Sequence, residues 1–380
     1  MFANGDRNIG DKTKSSGFSP RAIVTFEPNR NLSLNLQAAK GFRLGGVNDP
    51  LNIPLCSGGA TGIDALTYGN RPGYDDETLW NYEAGVKYQR RGLTFNAAAF
   101  RTEIKNLQVT ADAGTCSSRV VFNVPTVHTQ GVELEMSVSP ADGLDLSVAG
   151  SLIEAKFDSD VRTADNPTLA GDQSVVIAGI RDGNRLPSVP KFQMAATATY
   201  GKRILDDAEL VLSASVQHVG NRFTQPSDQE NNPRIFVYNG TGGADFGGIP
   251  AGRGTSVNLK LPSYNLVNLS AGLEFDNGLD LILYANNIFD ENPRLSFDRE
   301  RGGRARLGFN VGSPRTIGLT MRKAFGAARL APVEYIPPAP PAPIATQICA
   351  DGTVISVSDA CPLVVPPVGT PEPVAAPERG

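Results

Sequence analysis

Apolar and polar residues alternate along most of this chain with a period of two, which predicts strands rather than helices. The stretch "NYEAGVKYQRRGLTFNAAAF", Asn81 to Phe100, shows the unit. Tyr82, Ala84, Val86 and Tyr88 share one face; two arginines and Gly92 interrupt; Leu93, Phe95, Ala97 and Ala99 resume the alternation. The pattern predicts further paired runs around 22–38, 132–148, 192–216 and 267–283, and a last run from Ile317 to Phe325. The total is roughly eleven strands.

Short turns are expected to alternate with long connections. The turns are Glu27 to Asn31, Arg90 to Gly92, "SPADG", "GKRILDDA" and "DNG". The long connections cover about 43–78, 109–119, 158–188, 224–262 and 288–314, and are rich in Gly, Asn, Asp and Pro. Loop length sorted to one end is the pattern of a transmembrane β-barrel, with short periplasmic turns and long extracellular loops. Runs of 10 to 16 residues also suffice to cross a bilayer at a tilt. Polar residues occupy the opposite face: Glu133 and Glu135 beside Val132 and Leu134, Glu274 beside Leu273. A barrel turns the apolar set to lipid and the polar set to a wet lumen. A soluble sandwich buries the apolar set between sheets. Periodicity alone leaves both open; loop sorting and strand length favour the barrel.

Composition narrows the function. The chain has 380 residues, 40 Gly, 28 Pro, 2 His, 4 Cys and a formal net charge of −4. That charge gives no general attraction to nucleic acid. Two histidines argue against a His-rich metal centre. No window approaches the length of an apolar transmembrane helix. The opening "MFANGDRNIGDKTKSSG" has no apolar segment of the kind a signal peptide needs.

Six segments, in order, resemble the C-terminal barrel region of TonB-dependent outer-membrane receptors: "NLSLNLQAAKGFRLGG", "ETLWNYEAGVKYQRRGLTFNAAAFRTEIKNLQV", "TQGVELEMSVSPADGLDLSVAG", "LPSVPKFQMAATATY", "LILYANNIFDENP" and the closing "SPRTIGLTMRKAF". They cover roughly residues 20 to 325. The resemblance implies an all-β antiparallel transmembrane barrel portion, about eleven strands of a 22-stranded barrel with a plugged lumen. It implies active uptake of a scarce ligand, such as a siderophore, vitamin or saccharide, without enzymatic activity or a resident cofactor. Expected partners are outer-membrane lipid, the small-molecule ligand, the barrel assembly machinery, and the TonB system through a plug. Residues 1–19 then read as an extracellular loop remnant and 20–325 as barrel. Residues 326–380 read as a Pro- and Ala-rich periplasmic tail, of polyproline or disordered character. The sequence departs from the family pattern in lacking a signal peptide, the plug and about half the strands, so an open half-barrel that transports nothing alone is expected. A passive porin or surface-binding barrel, and a soluble β-rich interaction domain, are the alternative readings.

Few residues suggest site chemistry. Cys56 and Cys116, in neighbouring long connections, are a candidate disulfide, as are Cys349 and Cys361 in the tail. "DRERGGRARLG" places Arg299, Arg301, Arg304 and Arg306 in the last long loop. These guanidinium groups can hold an anionic chelate or lipopolysaccharide phosphates, or pair with Asp298 and Glu300. "YDDE", Tyr74 to Glu77, and "DSD", Asp158 to Asp160, carry oxygen ligands suited to calcium but no EF-hand spacing. His128 and His218 are candidate iron ligands or ordinary lumen or rim residues. No phosphate loop, zinc-protease motif or hydrolase elbow occurs.

Overall fold

The computed structural model describes residues 14–56, 58–69, 71–113, 116, 118–163, 174–230, 232–237, 254–300, 306–325, 346–348 and 354–356. The chain divides into two compact units, Met1–Ala324 and Phe325–Gly380.

The first unit is built on one eleven-stranded antiparallel sheet whose strands neighbour one another in chain order. They are β1 (Arg21–Asn29), β2 (Leu32–Arg43), β3 (Glu77–Arg90), β4 (Leu93–Asp112), β5 (Arg119–Ala141) and β6 (Leu144–Phe157). Then follow β7 (Phe192–Leu205), β8 (Ala208–Val219), β9 (Tyr264–Phe275), β10 (Leu279–Asn286) and β11 (Thr316–Lys323). The sheet is not closed: β1 pairs only with β2 and β11 only with β10. This is the open half-barrel expected from the family resemblance and the strand count.

A meander of this kind puts the turns after β1, β3, β5, β7 and β9 on one rim and every other connection on the opposite rim. Asn29, Gly92, Asp142 and Asn277 therefore share the turn rim, and Gly46 and Asp182 the loop rim. Gly114 and Gly303 lie outside the described residues. The turns follow local chemistry. Gly143 sits at φ 74°, and a Cβ there would fall 2.0 Å from the Gly201 carbonyl oxygen. Asn277 accepts the Leu279 N–H at 2.9 Å and anchors Lys323 at the end of β11. Pro28 and Pro140 fall where the β1–β2 and β5–β6 registers slip, between Phe26 and Asn29 and between Val138 and Ala141. A residue without an N–H is tolerated at such an irregularity.

The two faces differ as the alternation requires. Val132, Leu134 and Leu269 are 50%, 39% and 41% exposed, with Leu273 half-buried on the same face. Glu133, Glu135 and Glu274 lie on the other face. Among the described residues no second sheet covers the apolar face, which runs across all eleven strands from Val24 on β1 to Leu319 on β11. So large an exposed apolar surface is not that of a soluble sandwich. From Leu144 to Leu152 the face holds Leu144, Leu146, Val148, Gly150 and Leu152. At a strand tilt of about 40° that stretch rises roughly 21 Å, close to the ~25 Å apolar band of an outer-membrane barrel.

One expected connection is corrected. Residues 109–119 are not a long loop: β4 continues to Asp112 and β5 starts at Arg119. The alternation persists through Val109, Ala111, Val120, Phe122 and Val124, and all five are buried. The rim extension at this point is therefore a long hairpin.

Beyond Phe325 the described residues are the antiparallel pair Thr346–Ile348 and Val354–Ser356.

Candidate functional site

The buried core of the protein lies at the loop rim rather than within the sheet. Val109, Ala111, Val120, Phe122, Val124 and Val127 of the β4–β5 hairpin pack with Phe157 at the end of β6 and with Val161, Ile177 and Ile180 of the connection after it. Cys56, Ala65 and Tyr68 of the β2–β3 connection join the same cluster. Cys56 and Cys116 form the disulfide, 60 residues apart in sequence. The bridge ties the β2–β3 connection to the tip of the hairpin, as the sequence suggested for this pair. Cys349 and Cys361 lie outside the described residues.

Side-chain amides and ions complete the attachment. Asn48 accepts the Val121 N–H at 2.8 Å and donates to the Arg71 and Val121 carbonyls at 3.1 Å. Asn123 accepts the Asp75 N–H at 2.6 Å and donates to the Asp75 and Asn106 carbonyls at 3.0 Å. The Arg71 guanidinium lies 4.7 Å from the Phe122 ring centroid, and burial lowers its pKa from the ordinary arginine value. The buried Glu77 carboxylate accepts from Arg43 at 2.5 Å and from the Gln108 N–H at 2.8 Å.

The acidic motifs are thereby accounted for. Asp76 accepts from Ser15 at 2.5 Å and from the Gly45 N–H at 2.6 Å, and these bonds hold its carboxyl below the usual range. Asp158 faces His128, Ser159 bonds the backbone of Thr126, and Asp160 accepts the Asp182 N–H at 2.9 Å. That backbone bond leads the lowering of the Asp160 pKa, with Arg162 adding to it at 3.2 Å. Among the described residues no cluster of three His, Cys, Asp or Glu is arranged to hold a metal ion.

The connections after β8 and β10 meet through aromatic rings. Phe236 lies 5.7 Å from Phe297, and Phe297 5.1 Å from Phe309, with Arg294 at 4.4 Å over Phe309. Phe297 and Phe309 belong to a hairpin pairing Arg294–Glu300 with Arg306–Val311. Within it Arg299 stands opposite Leu307, and Arg306 opposite Glu300. Arg301 and Arg304 lie outside the described residues. Arg222 is buried where these connections reach β9: Nη2 donates to the Leu295 carbonyl at 3.0 Å, the guanidinium lies 5.6 Å from the Tyr264 ring, and Nη1 has no partner. Arg185, lowered in pKa by burial, links Val189 and Asn221.

The disulfide and the acidic motifs stand out in the sequence, but Asn48, Asn123 and Gln108, whose side-chain amides attach the loops (Gln108 donating to the Leu44 and Asp75 carbonyls at 2.9 and 3.1 Å), do not, nor does the Phe236–Phe297–Phe309 ladder. The available signal was continued alternation: Val109 and Ala111 keep the strand period within a segment assigned to loop, Val120, Phe122 and Val124 continue it just beyond, and Phe297 and Phe309 lie in the last long connection. His128 and His218 both stand on the face shared with the apolar belt. His218 pairs in register with Met194 and Asn265, and its Nδ1 donates to the Asn265 side-chain oxygen at 2.8 Å.

The chain matches the family described as TonB dependent receptor-like, beta-barrel over residues 2–288. The pesticin receptor of Yersinia pestis is 22% identical over 289 residues, 76% of this chain and 33% of that protein. The pesticin receptor of Yersinia enterocolitica is 22% identical over 64% of this chain and 29% of its own length. Among solved structures, the ferric yersiniabactin uptake receptor FyuA of Yersinia pestis superposes with a TM-score of 0.55 at 18% identity, over 80% of this chain and 37% of that one. P. aeruginosa FpvA, solved with heterologous pyoverdines, gives 0.50 at 16% identity, over 82% and 33%. The chain thus spans about a third of the length of the relatives it matches. With its open antiparallel sheet, lipid-type belt and sorted connections, the chain belongs to the TonB-dependent receptor family, as part of that family's outer-membrane β-barrel.

Proposed function

We propose that this chain forms wall and loop rim of a receptor that takes up an iron–siderophore chelate across the outer membrane. The observation that carries the reading is the asymmetry of the two rims. One carries bare turns; the other carries connections with their own packed core, a disulfide and an aromatic ladder. A rim built to this extent supports capture of a solute rather than passive flow. Arg299, Arg301, Arg304 and Arg306 supply guanidinium groups for an anionic chelate at this rim. Iron is cargo in this scheme. The siderophore class is supported by the names of the similar proteins, a ferric yersiniabactin uptake receptor and one solved with pyoverdines.

The same reading puts the turn rim and the tail that follows β11 in the periplasm, with energy delivered by the TonB system through a plug. Insertion is assigned to the barrel assembly machinery and the belt to lipid. The test is uptake of radiolabelled ferric siderophores by iron-limited cells with and without the protein, each with the inner-membrane energy system intact or disabled, alongside cobalamin and a saccharide. Chelate uptake that needs both the protein and the energy system is expected. Uptake persisting without energy would make it a passive barrel, and loss of cobalamin or saccharide uptake instead would replace the ligand class.

A further inference from the structure

Side-chain amides recur at the loop rim in one geometry. Asn48 accepts the Val121 N–H at 2.8 Å and donates to the Val121 carbonyl at 3.1 Å. Asn123 grips Asp75 in the same way at 2.6 and 3.0 Å. Asn287 grips Glu291 at 2.9 and 2.7 Å, and Gln229 grips Arg185 at 2.9 and 2.7 Å. In each case one amide makes both bonds that an antiparallel neighbour makes with a strand residue. Such a clasp holds backbone alone, so it joins segments too irregular to pair as strands.

The clasps differ in what they join. Asn48 and Asn123 lie within the disulfide-linked half of the rim, made of the β2–β3 connection, the β4–β5 hairpin and the connection after β6. Asn287 closes the base of the connection after β10, for its Nδ2 also donates to the Ser313 carbonyl at 3.0 Å. Between these regions stands the connection after β8. There Pro226 opens a short 3₁₀ turn, Pro226–Gln229, in which Asp228 accepts the Gln225 N–H at 3.0 Å. Gln229 ends the turn and meets Arg185 of the connection after β6. Beside it Glu230 accepts from Asn184 at 2.7 Å and from Arg181 at 3.3 Å, and the Ser188 N–H donates to the Phe223 carbonyl at 2.7 Å. Gly179, at φ 71°, approaches so closely that a Cβ there would fall 2.4 Å from the Ser227 Cα.

The other side of the same connection holds the last hairpin. Thr224 Oγ1 accepts the Phe297 N–H at 2.7 Å, Arg222 donates to the Leu295 carbonyl at 3.0 Å, and the Phe236 ring lies 5.7 Å from Phe297. Leu295 and Phe297 are two apart on one strand edge, so these two side chains occupy the place of a neighbouring strand.

We infer that the loop rim is one cooperative body, in which the seam of Gln229 and Glu230 with Arg185 and Asn184 couples the disulfide-linked half to the last hairpin. Segments that open together exchange their amides through one common event. Among the described residues, each connection from Cys56 to Phe297 is joined to the next by bonds directed at backbone, and the path crosses this seam. Loosening either end therefore loosens the other, and a solute meets the rim as one preformed wall. The coupling rests on the rim's own contacts and is independent of which ligand is taken up.

The experiment is amide hydrogen exchange on the full chain in detergent micelles. Val121 reports on the disulfide-linked half, Phe297 on the last hairpin, and Leu269 on the sheet. Cys56→Ser with Cys116→Ser is expected to speed exchange at Val121 and Phe297 by the same factor, at least about tenfold, with Leu269 unchanged. Adding Gln229→Leu and Glu230→Leu should confine the effect of the lost disulfide to Val121, as a double-mutant cycle requires of a coupling residue. If Leu269 shows that the disulfide variant has lost its sheet, Phe122→Ala loosens the same half and supplies the same comparison. Acceleration at Val121 alone with the seam intact would overturn the cooperative body. Equal acceleration at Val121 and Phe297 despite the seam substitutions would overturn the assignment to Gln229 and Glu230.

Discussion

Phe122 and Arg71 meet where the β2–β3 connection crosses the β4–β5 hairpin, and the ring is almost wholly removed from solvent. Replacing Phe122 with alanine leaves a cavity and strands the guanidinium, so a loss of about 3–5 kcal/mol in rim stability is expected. Faster proteolysis within residues 44–76, with the sheet unaffected, is the measurement. Asp160 gives a pH-dependent case. Its carboxyl is held below its ordinary value by the Asp182 N–H and Arg162, so its contribution is fully present above the unfolded-state pKa of about 4. The contribution is lost as pH falls through the lower folded value. Hydrogen exchange at Asp182 should rise on acidification below pH ~4 and be raised at all pH values in Asp160→Asn. Such single residues were legible only in part. Cys56 and Cys116 stood out because cysteine is rare in this chain. Asn48, Asn123 and Gln108 did not, because a loop amide looks the same in sequence whether it faces water or stitches two segments together.

At the scale of elements, strand alternation was the readable signal, since each strand has one apolar and one polar face over its whole membrane length. It failed where a strand outruns the membrane. Residues 109–124 keep the period but change its meaning, from lipid contact to packing against loops, and 109–119 read as a connection because Asp112, Gly114 and Ser117 interrupt the run. The short ladders within the connections, such as Gly46–Val47 with Gly73–Tyr74, are too brief to show a period. Two variants follow. Serine at both Cys56 and Cys116 opens a loop that the chain-entropy argument values at about 4 kcal/mol, and should lower the rim's melting transition without displacing the sheet's. Leu134→Arg puts a cation on the outer face within the belt, at a cost of about 2–4 kcal/mol near the bilayer midplane. Glu133→Gln, one residue away on the other face, should be nearly neutral. Urea unfolding in lipid vesicles compares the pair.

For the whole molecule, the sorting of connections allowed the barrel class to be read before any contact was known, because a meander forces alternate connections to opposite rims. The Arg299–Arg306 segment and the tail cysteines gave no comparable handle, since nothing in a charged or Pro-rich stretch fixes which groups converge. The central claim is the orientation of this sheet in the outer membrane, with loops outside and turns inside. The most direct test is labelling on intact cells with a membrane-impermeant thiol reagent, using single cysteines placed at Val47 and Asp182 on the loop rim and at Asp142 and Asn277 on the turn rim. The account predicts that the first two react on intact cells and the second two only after the outer membrane is permeabilised. Reaction of Asp142 or Asn277 positions on intact cells, alongside those of the loop rim, would contradict it.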